Sequence, residues 1–145
     1  MSLKDWLKNG WLVEHRTSPQ EIRNLLGVAD RDLDDCRAAG LSADWKMNIA
    51  YNAALQATTA ALAACGFRAS RDSYHYRIIQ SLAFTLEMEA KLIAKFDKFR
   101  KKRNIGGYEQ AGLVSEQEAE EMIALAEQLR EATELWLQSN HPELL

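Results

Sequence analysis

Proline and glycine are scarce in this 145-residue chain, two and seven respectively. That excludes collagen-like and proline-rich chains and argues against a turn-dense all-β fold. Cysteine is limited to Cys36 and Cys65, too few for a disulfide framework and consistent with a reducing compartment. Both fall in apolar helical stretches and read as small buried hydrophobes rather than a redox pair. Positive charge is not in excess: 18 Lys+Arg stand against 21 Asp+Glu, a net charge of −3. A uniformly basic nucleic-acid coat is thereby excluded, while a local basic patch is not. The first residues, MSLKDWLKNGWLVEHR, carry Lys4 and Asp5 and no continuous apolar run, so they do not read as a signal peptide. Met47 to Phe67 is free of charge, yet it contains Asn48, Asn52, Gln56, Thr58, Thr59 and many alanines. Its transfer energy is too small for a membrane span, so it reads as a buried central helix, and a cytoplasmic protein without a membrane partner is expected.

What is present is apolar and helical. Apolar residues make up 47% of the chain, enough to close a core without metal or disulfide. The length predicts one domain over 1–145, with a bundle over 18–140 and an N-terminal extension over 1–17 carrying a short helix. Ser18-Pro19-Gln20-Glu21 reads as N-cap, proline at N1 and glutamate at N3, a capping box. Ile22, Leu25, Leu26, Ala29, Leu33 and Cys36 then share a face, and Gly40 is expected to stop the helix. Ser42 caps a helix running to about Cys65, with Gly66 after it. Shorter helices are expected over about Tyr74 to Leu86 and about Glu89 to Asn104, the second broken by Gly106-Gly107. Ser115-Glu116-Gln117-Glu118 is a second capping box, and the last helix repeats apolar residues at spacings of three and four. No strand run is visible. Short connections favour antiparallel neighbours, so the expected fold is all-α, an up-and-down helical bundle of four to five antiparallel helices.

Three features could carry chemistry. Lys95 to Arg103 holds six basic residues and one acid. It reads either as cations opposing a helix dipole at its C-terminal end or as a phosphate-binding patch formed by Lys98, Arg100, Lys101 and Lys102. Leu92, Phe96, Phe99 and Arg103 follow one stripe, so Arg103 continues the apolar face to the mouth of the bundle. There it either caps the core with its stem or offers its planar fork to an anion. Asn48, Asn52, Gln56 and Thr59 share a face of the central helix, as a hydrogen-bonded network or as the wall of a wet groove. His75, in Tyr74-His75-Tyr76-Arg77, is a candidate acid/base group, though a lone histidine is more often structural. No metal-ligand spacing and no Gly-rich phosphate loop occurs, and no cofactor is expected.

The segment Phe99-Arg100-Lys101-Lys102-Arg103-Asn104-Ile105-Gly106-Gly107-Tyr108, followed by a polar loop, a Ser-x-x-Glu cap and an amphipathic last helix, resembles the HEPN domain family. YNAAL at 51–55 and His75 before Ile-Ile-Gln-Ser-Leu fit the family's earlier helices, so the resemblance covers about residues 20 to 140. It implies a small all-α bundle, often a metal-independent ribonuclease toxin paired with a nucleotidyltransferase antitoxin, and a homodimer whose two motifs line one cleft. The family motif is an arginine, frequently followed by a polar residue, and then a histidine. Arg103 matches the arginine and Asn104 the polar residue, but Tyr108 stands where the histidine is expected. Tyrosine titrates near 10 and is a poor base at neutral pH. The implied catalytic set is therefore Arg103 and Asn104, assisted by Tyr108 or His75, acting on RNA or a nucleotide. The alternative is a non-catalytic module that binds a nucleotide or a nucleotidyltransferase partner.

Overall fold

A computed structural model describes residues 1–106 and 114–145, the side chains of 104–106 apart. The fold is all-α, with one minimal two-stranded antiparallel sheet whose strands lie far apart in sequence. In chain order the elements are α1 (Leu3–Lys8), β1 (Leu12–Glu14), α2 (Pro19–Asp35), α3 (Ala43–Ala64), β2 (Phe67–Ala69), α4 (Tyr74–Gln80), a 3-10 turn (Ser81–Ala83), α5 (Ala90–Gly106), α6 (Glu116–Asn140) and a closing 3-10 turn (Pro142–Leu144). Among the described residues no helix is long and apolar enough to cross a membrane.

α3 is the central helix because its side chains are small. Ala50, Ala53, Ala54, Ala57, Ala60 and Ala61 are all fully buried, so α2 and α6 approach it along much of its length. Ion pairs mark the directions of the helices. Lys46 at the start of α3 reaches Glu116 at the start of α6 (3.2 Å), whereas Arg130 of α6 reaches back to Asp30 of α2 (2.8 Å). Ile22 and Leu26 share a cluster with Ala60, Ala63 and Leu137. Thus α2 runs against α3 and α6, α5 runs against α6 through Lys95–Glu121 and Lys102–Glu118, and the chain alternates up and down through α2, α3, α5 and α6. The closest large pair, α3 with α6, is the parallel diagonal of this bundle, brought together by the alanine face.

The expected caps hold in part. Ser115 and Glu118 form a full capping box. Ser18 accepts from the Glu21 N–H (3.1 Å), but the Glu21 carboxylate turns to Thr17 Oγ1 (2.6 Å) and His15 Nε2 (2.7 Å), so that box is half made. α2 stops at Asp35, ahead of Gly40, where Asp34 and Asp35 put negative charge on the negative end of the helix dipole. α4 gives way to the 3-10 turn at Ser81, whose hydroxyl donates to the Ile78 carbonyl at 2.6 Å and competes with the helix ladder.

The strands are a correction to the sequence reading, since three residues each are too few to show a period. β1 and β2 pair antiparallel with Leu12 opposite Ala69 and Glu14 opposite Phe67. This pairing ties the N-terminal segment into the main core, where Trp6 and Leu12 are buried. Trp6 meets Phe84 edge-on (5.3 Å), and the Arg77 guanidinium of α4 lies 3.7 Å from the centre of the Trp11 ring. The N-terminal segment, through Trp6 and Trp11, therefore clamps α4 against the bundle.

The polar stripe on α3 forms a network with α2. Asn52 Nδ2 donates to Asp32 Oδ2 (2.6 Å), Gln56 Nε2 donates to Asn52 Oδ1 (3.2 Å), and Arg31 covers the other oxygen of the buried Asp32 carboxylate through Nε and Nη2 (3.1 and 3.0 Å). Thr59 bonds within its own helix, to Leu55 O (2.7 Å). Cys36 is fully buried and Cys65 half-buried at the C-cap of α3; both are free thiols. Burial pushes both thiols up from their ordinary values, away from nucleophilic reactivity.

Candidate functional site

The start of α4 and the last turns of α5 enclose an open cleft of about 590 Å³ lined by Ser73, Tyr74, His75, Tyr76, Arg100 and Arg103. Each wall follows from local sequence. α4 is anchored by the buried Ile78 and Ile79, and the Arg77–Trp11 contact holds its outer face. Its first residues, the Tyr-His-Tyr run, are thereby left at the surface. Ser73 leads into them with φ 56°, a left-handed conformation that a serine adopts at some cost in backbone strain. On the other wall, Phe96 and Phe99 bury the inner face of α5, and Arg100 and Arg103 follow at the next turn.

Arg103 continues the apolar stripe of α5, its side chain half-buried at the core's edge. Its guanidinium carbon lies 5.2 Å from the centre of the Tyr51 ring. Tyr51, 1% exposed, packs edge-on against Phe96 (5.5 Å, 74°), and its hydroxyl is 3.2 Å from His75 Nδ1. One buried phenol therefore touches both the arginine and the histidine. Sequence reasoning did not single out Tyr51. Its signal was a large aromatic set among the alanines of α3, easily read as core filling.

The basic segment divides sharply. Arg100 donates from Nε to Asp97 Oδ1 (2.6 Å) while its guanidinium carbon sits 5.4 Å from the Tyr76 ring centre. Lys101 shares the same carboxylate at 3.6 Å. Lys102 pairs with Glu118 and Lys95 with Glu121 across to α6. Lys98 is exposed on the helix surface. Among the described residues no carboxylate lies within ion-pair distance of Arg103 or Lys98, and of these two only Arg103 lines the cleft. Asp97 takes up Arg100 and shares Lys101, so Arg103 is the cleft-lining guanidinium without a carboxylate partner among the described residues. Of the residues anticipated from sequence, the fold thus brings together Arg103, His75 and Arg100, and leaves Lys98, Lys101 and Lys102 off the cleft wall. Tyr108 and the Asn104 side chain lie outside the described residues.

His75 is held below its ordinary value of 6.5, first by burial and then by the positive charges of Arg103 and Arg100. The consequence for stability has a definite sign. The unfolded chain binds a proton at His75 more readily than the folded one, so folding is fully favoured above pH 6.5 and weakens as pH falls from there through the lowered folded value. Urea unfolding across this range should show the wild type losing more stability on acidification than a His75→Gln variant, with His15 and His141 common to both. Parallel pH profiles for the two proteins would contradict this assignment.

Set against protein-family models, curated proteins and solved structures, the chain matches none of them.

Proposed function

We propose that the chain binds RNA in the α4–α5 cleft, gripping phosphate with Arg103 as a HEPN-like protein would. The observation that supports this reading is the half-buried Arg103 guanidinium beside His75 in one cleft, without a carboxylate partner among the described residues. Charge-assisted hydrogen bonds to phosphate are shorter and stronger than neutral ones, and a planar fork meets two phosphate oxygens at once. Tyr74 adds a ring, 40% exposed, on which an unpaired base can stack. In a chain of net charge −3, the cations Lys98, Arg100, Lys101 and Arg103 gathered along the end of α5 provide a local attraction for a polyanion. The resemblance adds to the proposal a homodimer that pairs two clefts and a nucleotidyltransferase partner, in the cytoplasmic location expected from the sequence.

Titration of an unstructured RNA oligonucleotide, followed by fluorescence anisotropy at rising salt, tests the reading. Saturable binding is expected, with log affinity falling against log salt at a slope of about −0.7 to −2, as for one to three phosphate contacts on a single strand. No saturable binding at low salt overturns it. The same RNA incubated in chelator and resolved on a gel separates binding from cleavage. Cleavage would leave a 2′,3′-cyclic phosphate and a 5′-hydroxyl, formed when the 2′-oxygen attacks phosphorus and the P–O5′ bond breaks. A second reading, a nucleotide-binding partner module, draws on the cleft volume of about 590 Å³, which lies in the range of small-molecule sites. It predicts that a mononucleotide displaces the oligonucleotide at equal affinity.

A further inference from the structure

We infer that Tyr51 is a positioning residue, whose buried phenol fixes His75 as the Nε2–H tautomer and so makes the imidazole a hydrogen-bond donor in the cleft rather than a base. The Tyr51 side chain is 1% exposed, and the contact of its hydroxyl among the described residues is His75 Nδ1 at 3.2 Å. A phenol has one proton to give. If Tyr51 donates to Nδ1, the O–H is satisfied and the ring proton resides on Nε2. If Nδ1–H donated instead, the phenolic hydrogen would be buried without an acceptor among the described residues, which native interiors avoid.

The surroundings agree with a proton that stays on the phenol. Burial pushes Tyr51 up to about 12, against the opposing pull of Arg103 and Arg100. The same two guanidiniums, after burial, keep His75 in its neutral form. In this state both imidazole nitrogens are committed: Nδ1 receives the phenol and Nε2 carries hydrogen. No lone pair is left to take a proton from a 2′-hydroxyl. Resting on the phosphate reading above, the cleft then offers Arg103, Arg100 and one imidazole N–H to a phosphoryl oxygen. That is an acceptor-binding set, suited to holding RNA and ill suited to starting its cleavage.

Long-range nitrogen–proton NMR of the full chain at neutral pH tests the inference on the wild-type protein, with the His75 signals assigned by their loss in His75→Gln. The expected pattern is an acceptor Nδ1 and a protonated Nε2. Tyr51→Phe keeps the ring against Phe96 and removes only the O–H. It should redistribute the His75 tautomers and weaken RNA-oligonucleotide affinity about fivefold, the worth of one oriented hydrogen bond, with a melting temperature lowered by no more than a few degrees. A protonated Nδ1 in the wild type, or a tautomer balance identical in Tyr51→Phe, overturns the inference. The expected tautomer pattern in a protein that fails to bind RNA leaves Tyr51 as the positioning residue and overturns the phosphate reading instead.

Discussion

Arg103→Ala is expected to lower RNA-oligonucleotide affinity by about ten- to a hundredfold, the worth of charge-assisted hydrogen bonds to a phosphate at a partly desolvated site. The size of the effect follows from where the guanidinium sits. It lies against the buried Tyr51 ring at the edge of the core, half out of water, and no carboxylate among the described residues competes for it. Arg103→Lys keeps the charge but loses the planar fork and the ring contact, so it should recover only part of the affinity. Lys98→Ala, at an exposed position on the same helix, removes an equal charge and should cost less than about threefold, as a screened surface cation does. Equal losses for Arg103→Ala and Lys98→Ala would point to diffuse attraction to the helix rather than to a cleft.

Phe96→Ala has the largest expected effect on stability, a loss of about 3–5 kcal/mol in urea unfolding with an unchanged dependence on denaturant. Phe96 is fully buried, at the point where α5 meets α3, and it is the edge-on partner of Tyr51. Its deletion removes apolar transfer energy and leaves a cavity beside the phenol that touches both His75 and Arg103. A loss of this size is a large part of the stability of an ordinary domain. A loss below about 1 kcal/mol would mean that the aromatic stack is not the support of the site.

Much of the bundle is legible in the sequence because its signals are local and periodic. Ser42 and Ser115 announce their helices, and the alanines of Met47 to Phe67 announce a helix that others can approach closely. Arg103 is legible for the same reason, since it continues the Leu92–Phe96–Phe99 stripe. The rest depends on contacts distant in sequence. β1 and β2 lie more than fifty residues apart and are too short to show a period. The Asp97 carboxylate that takes up Arg100 and Lys101 is visible as a lone acid, but its claim on the basic segment appears only when the side chains are placed. The meeting of His75 with Arg103 depends on α4 folding back over α3, fixed by the Arg77–Trp11 contact with the N-terminal segment. No spacing in the chain encodes it.

The most direct test observes the cleft itself. In a titration of the labelled protein with a short single-stranded RNA, the Arg103 Nε–Hε signal and the His75 imidazole signals should move together and saturate at the same concentration. If both stay still while the backbone signals of Lys98 and Lys101 shift, RNA rides on the outer face of α5, and the account of a phosphate-gripping cleft is contradicted.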